Sequence, residues 1–164
     1  MKIVKDCWDY MVADTCHYGA HLFDGENITI YVNSWLATGL DKELQEYFTK
    51  RNSMGYVGHC LLVFNKVRNF QMKVTRYTRI PKNDSTEVAI DVENLVCHQS
   101  KPKAYETVFQ KPIYFNYSSE FKGICSTYFL SGSLNGIESS VDIEIEAQAF
   151  ELHILEKDEP VENF

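Results

Sequence analysis

The segment VDIEIEA, residues 141–147, alternates without a break: Val141, Ile143, Ile145 and Ala147 share one parity, and Asp142, Glu144 and Glu146 share the other. Successive side chains of a β-strand point to opposite faces, so the pattern describes a strand with one apolar and one wet face. The parity shifts before Phe150, Leu152 and Ile154, which predicts a β-bulge near Ala149.

The same period recurs along the chain. AHLFDGENITIYV splits around Asp24-Gly25, a strong hairpin signal, and predicts strands over 16–23 and 27–33. YVGHCLLVFNKV (56–67) is apolar on both parities, as in a strand covered on both faces. NFQMKVTRYTR (69–79) sets Phe70, Met72 and Val74 against Gln71, Lys73 and Thr75. The short Asn65-Lys66 link predicts a hairpin between these two. Val88, Ile90 and Val92 suggest another strand, HQSKPKAYE (98–106) is the most loop-like stretch, and IYFNY (113–117) and GICSTYFLSG (123–132) read as strands. Asn135-Gly136 is a turn. Only DKELQEYFTKR (41–51), with Leu44, Tyr47 and Phe48 at i, i+3 and i+4, has helical spacing. The expected fold is mainly β (α+β): an antiparallel β-sandwich or open barrel of seven to nine strands, with one inserted helix near 41–51.

At 164 residues the chain has the size of a single domain, 1–164, with an acidic tail, 156–164, that is expected to fray. Its hydrophobic fraction of 45 % is that of a folded protein, and its net charge of −7 argues against a nucleic-acid partner, which needs a cationic surface. The charge is uneven: residues 41–80 carry +5 and residues 121–164 carry −7. MKIVKDCWDYMV lacks a cleavable apolar leader, and no window approaches the roughly 18 apolar residues of a membrane helix. Five scattered cysteines suit free thiols in a reducing compartment, so the sequence predicts a cytoplasmic protein with no membrane partner.

Cys16-His17, His59-Cys60 and Cys97-His98 invite a metal or catalytic reading. Neighbours in a strand face opposite ways, however, so each pair is expected to place its cysteine inward and its histidine outward. No CxxC, HxH or HExxH spacing supports a metal. A Cys nucleophile with a His from another strand is the weaker alternative. GxSxG, Walker A, GxGxxG and EF-hand patterns are missing. The sequence therefore predicts no enzyme, no cofactor and no metal.

The acidic parity of 141–147 carries more information. Its carboxylates are spaced about 6.8 Å apart at a rise of about 3.4 Å per residue, and they repel one another unless cations face them. They form either a solvated face, paired internally with the strand bearing Lys73, Arg76 and Arg79, or a contact surface for a cationic partner. Asp142, Glu144 and Glu146, with the aromatics Trp35, Tyr31 and Tyr105 as interface anchors, are the candidate partner-binding residues.

DTCHYGAHLFDGENITIYV leading into a hairpin, the GHCLLVFNKV strand and the closing YFLSG…VDIEIEAQAFEL together resemble the immunity proteins of bacterial contact-dependent growth inhibition and polymorphic toxin systems. That resemblance implies a non-catalytic inhibitor of one cognate toxin domain, often a basic nuclease. The competing readings are a small-ligand-binding β-barrel whose aromatics line a cavity, and a Cys/His enzyme.

Overall fold

The computed structural model describes residues 1–14, 16–34, 36–38, 56–57, 60–82, 86–87, 90–91, 96–97, 101–102 and 104–155. The alternating segment 141–147 lies inside one of eight strands that share a single mixed sheet. These are β1 (Lys2–Lys5), β2 (Cys16–Phe23), β3 (Ile28–Ser34), β4 (Cys60–Pro81), β5 (Tyr105–Phe109), β6 (Ile113–Ser118), β7 (Ser126–Leu134) and β8 (Ser139–Ile154). Short strands at Met11–Val12, Leu36–Thr38 and Tyr56–Val57 form a separate small sheet. Among the described residues the helical element is one 3-10 turn, Trp8–Tyr10, and no helix is long and apolar enough to cross a membrane. The helix expected over 41–51, Trp35 and the tail 156–164 lie outside the described residues. The strand expected around Val88–Val92 is described only at Thr86–Glu87 and Ile90–Asp91.

The pairing path closes on itself. β2 pairs with β3, β3 with β4, β4 with β8, β8 with β7, and β7 with β2. The first four contacts are antiparallel. The last is parallel, joining Gly132–Leu134 to Cys16–Tyr18, so the sheet is mixed where an antiparallel fold was expected. Glycine is required there: a Cβ on Gly132 would overlap the Cys16 carbonyl oxygen. β1 extends the sheet along the C-terminal half of β8, and β6 and β5 lie end to end along β4 beyond β3.

The Asn65-Lys66 link is not a hairpin. β4 runs on through it as one 22-residue strand, which bends where Lys66 adopts a φ of 52°. The bend is held from a distance: the Lys66 N–H donates to Asn27 Oδ1 (3.0 Å), and the Val67 N–H donates to the Glu26 carbonyl (2.7 Å). Those acceptors belong to the Asp24-Gly25 turn, where the predicted hairpin does form. Asp24 Oδ1 accepts from the N–H groups of Glu26 (2.9 Å) and Asn27 (2.7 Å), and Gly25 supplies a φ of 101°. The β2–β3 turn thus braces the elbow of β4.

The buried parity of β8 switches at the elbow, whereas that of β4 shifts at Val67 and returns by Phe70. Buried positions run Val141, Ile143, Ile145, Ala147 and then Phe150, Leu152, Ile154 on β8. They run Leu62, Phe64 and then Val67, Phe70, Met72 on β4. The switch on β8 falls where a bulge was expected, beside Ala149. The register itself slips one pair away, between Glu146 and Ala147, leaving Arg68 as the extra residue of β4. The core fills the inner face on both sides of the bend, with Trp8 edge-on to Tyr128 (5.0 Å between centroids) and Phe150 (5.1 Å). The loop-like reading of 98–106 gives way in part: Tyr105 and Glu106 begin β5, which pairs with the far end of β4 and is exposed throughout.

Candidate functional site

The outer face around the acidic residues is built by register. Four strands lie side by side, β6, β4, β8 and β7, and their outward residues fall into rows. Tyr114 faces Lys73, Lys73 faces Asp142, and Asp142 faces Ser131. In the next row the order is Asn116, Gln71, Glu144 and Phe129. In the third it is Ser118, Asn69, Glu146 and Thr127. The three carboxylates therefore form one column of a four-stranded face, with Tyr114 on one flank and Phe129 on the other. Those two rings are 61 % and 66 % exposed, which is unusual for aromatics on a sheet whose other face is a filled core.

The column is electrostatically uneven. Glu146 is half-buried, and its Oε2 accepts from Arg68 Nε at 2.9 Å, so the bulged residue of β4 neutralises it. Asp142 and Glu144 are exposed. Asp142 sits across from Lys73 without an ion pair within 4 Å among the described residues, and Glu144 sits between Gln71 and Phe129. Of the basic residues expected to pair with the column, Arg79 reaches Glu138 instead (3.7 Å) and Arg76 lies across from Ser139. The internal pairing is thus partial: one acid is satisfied and two face outward.

The other anticipated anchors do not join this face. Tyr31 lies on β3 opposite Leu61, beyond the elbow, with its ring against Gly19; burial raises its hydroxyl above the ordinary tyrosine value. Tyr105 is exposed, but it pairs with Pro81 at the tip of β4, eight residues past Lys73, or roughly 26 Å along a strand. Sequence reasoning missed Tyr114, Asn116 and Phe129. The signal was parity: Tyr114 and Asn116 alternate with Ile113, Phe115 and Tyr117, and Phe129 falls between the inward Tyr128 and Leu130.

Of the three Cys-His pairs, Cys16-His17 alone has both members among the described residues. Cys16 is fully buried, and His17 beside it is half-buried on the other side of the strand. Cys60 is also buried; His59 and His98 lie outside the described residues. His21 departs from simple alternation, because β2 carries an extra residue between Tyr18 and His21 and turns it inward. There its ring meets Phe70 (5.6 Å), Phe115 (5.1 Å) and Tyr117 (5.7 Å), and its Nε2 is 3.2 Å from the Tyr117 hydroxyl. Desolvation lowers its pKa below the ordinary histidine value. Tyr18, buried beneath the parallel pair, has its hydroxyl 3.1 Å from the carbonyls of Ala13 and Ser131, and burial pushes its pKa up. Among the described residues no group of three or more His, Cys, Asp or Glu side chains is placed to hold a metal ion.

No protein-family model, no curated protein and no solved structure matches the chain.

Proposed function

We propose that the chain is a non-catalytic binding protein that captures a basic protein partner on the outer face of β6, β4, β8 and β7. The observation that supports this most directly is the row geometry: Asp142 and Glu144 stand exposed between two exposed aromatic flanks, Tyr114 and Phe129. Carboxylates at the centre of such a face steer a cationic surface toward it, and the flanking rings supply rigid apolar area once water is expelled. Tyr31 and Tyr105 then fall outside the central contact.

The sequence resemblance suggests a setting for this activity. An immunity protein of a contact-dependent growth inhibition system works in the cytoplasm by covering a cognate toxin domain, and an exposed acidic face suits that task. The test is titration of the chain against the variable C-terminal domain of a secreted protein encoded beside it. The double variant Asp142→Lys/Glu144→Lys should weaken association and lower the on-rate, with the loss largest at low salt. Unchanged affinity in the double variant would reduce the column to a solvated face.

A further inference from the structure

The edge of the sheet at β6 holds a second feature. β6 pairs with β4 on one side, and no strand among the described residues pairs with it on the other. Two backbone bonds set the phase of its hydrogen bonding. The Ser119 N–H donates to the Arg68 carbonyl (3.2 Å) in continuation of the β6–β4 register, and hydrogen-bonded pairs recur at every second residue of an antiparallel ladder. Tyr117, Phe115 and Ile113 therefore bond to β4, while the N–H and C=O groups of Tyr114, Asn116 and Ser118 point away from it. The far side of β4 gives the same phase. There the Tyr77 N–H donates to the Glu138 carbonyl (3.1 Å), so odd-numbered residues of β4 bond to β8 and the even-numbered ones, from Val74 back to Arg68, are left for β6. Sheet edges are normally blunted by a charge, a proline or a bulge, and β6, IYFNYS, has none of these in its six residues.

We propose that β6 pairs antiparallel with β6 of a second copy of this chain, about a two-fold axis that passes through Asn116. Outward-pointing backbone groups must meet outward-pointing ones, and the register that joins all three free residues is self-complementary: Asn116 faces its own counterpart, and Tyr114 faces Ser118 of the partner subunit. Charge selects a second copy as the occupant. A net charge of −7 opposes self-association over most of the surface, but β6 carries no charge, and the antiparallel order brings the exposed Lys111 before it toward the exposed Glu120 after it in the other subunit. The two acidic columns on β8 then lie five strand spacings apart, roughly 24 Å at about 4.8 Å per strand, well beyond the screening length of about 8 Å at physiological salt. An axis perpendicular to the sheet leaves both outer faces on the same side, so the dimer doubles the acidic face without covering it. The pairing does not depend on capture of a basic protein.

The experiment follows the mass of the full chain by sedimentation equilibrium from low to high micromolar concentration, where it should pass reversibly from monomer to dimer. Asn116→Pro removes an N–H that bonds to nothing in β4, so it spares the monomer's ladder, takes away the central pair of the interface and should raise the dimer dissociation constant by about tenfold or more. Asn116→Lys, which places a charge on the edge, serves if the proline variant does not fold by circular dichroism. Asn116→Cys should form a disulfide between two copies on mild oxidation, because hydrogen-bonded antiparallel partners stand about 5.5 Å apart at Cα, within disulfide reach, whereas Ile124→Cys, 92 % exposed but off the edge, should not. A chain that stays monomeric at every concentration, a dimer indifferent to the edge variants, or equal cross-linking at Ile124→Cys overturns the proposal. Exchange protection of the Tyr114, Asn116 and Ser118 amides that appears only when a different protein is added assigns the edge to that protein and overturns the second copy as well. Asp142→Lys/Glu144→Lys leaves β6 intact and Asn116→Pro leaves the acids in place, so this proposal and the capture of a basic partner can each fail without the other.

Discussion

Arg68 donates from Nε to Oε2 of Glu146 at 2.9 Å, and this bond sets Glu146 apart from the two carboxylates beside it on β8. Glu144 stands between two like charges on its own strand and faces Gln71 and Phe129 across the sheet. Glu144→Gln should therefore raise stability by about 0.2–0.5 kcal/mol, the scale of exposed cross-strand effects. Glu146→Gln should lower stability, because it replaces the charged acceptor of the Arg68 guanidinium with a neutral one. Thermal melts at low and high salt check both: the two variants should shift in opposite directions, and added salt should shrink both shifts.

The turn at Asp24 reaches further than its own hairpin. Its carboxylate accepts two backbone N–H groups, and the turn it organises presents Glu26 and Asn27 to the elbow of β4. These bonds hold the Asp24 carboxyl below the usual aspartate value. Asp24→Ala should cost about 1 kcal/mol in denaturant melts, and Asp24→Asn, which keeps an acceptor oxygen, less. A group with a depressed folded pKa contributes stability above its unfolded value and loses it as pH falls. The Asp24 contribution should therefore fade only below about pH 3.8.

That elbow also marks where sequence reading stops. Strand pattern was legible wherever one face is apolar and the other wet, as at Val141, Ile143 and Ile145, and turn chemistry was legible where it is local, as at Asp24-Gly25. Asn65-Lys66 misled because the donors at Lys66 and Val67 find their acceptors some forty residues earlier, a relation no local window contains. The parallel β2–β7 contact was hidden for the same reason. Of the site, Asp142 and Glu144 could be read as outward. Their alignment with Tyr114 and Phe129 depends on registers set by three strand pairs.

The parallel contact itself rests on one glycine. At Gly132 a methyl group would strike the backbone oxygen of Cys16, and backbone cannot rotate aside as a side chain can. Gly132→Ala should therefore separate β7 from β2 and cost about 2–4 kcal/mol, in the range of severe steric substitutions. Urea unfolding monitored by Trp fluorescence measures it. A loss below about 1 kcal/mol would mean that the strands part easily and that the closed pairing path contributes little to stability.

His21 gives the fold a pH dependence of its own. Its ring is packed against Phe70, Phe115 and Tyr117, and the desolvation that lowers its pKa penalises the protonated form. The unfolded chain therefore binds the proton more readily than the folded one, and stability must fall as pH drops below the unfolded value of about 6.5. Glu151, whose carboxyl is held low by His153 and Lys5, contributes its own loss only below about pH 4.5. The interval between 4.5 and 6.5 consequently isolates histidine titration. Wild-type protein should lose stability steadily across it, and His21→Phe, which keeps the ring packing and removes the titrating group, should flatten the slope. The same substitution removes the partner of the Tyr117 hydroxyl at 3.2 Å, so its stability at pH 8 sets the baseline for the comparison. Parallel pH profiles for the two proteins, offset by a constant, would show that His21 is hydrated in the folded state and that its aromatic surroundings do not exclude water.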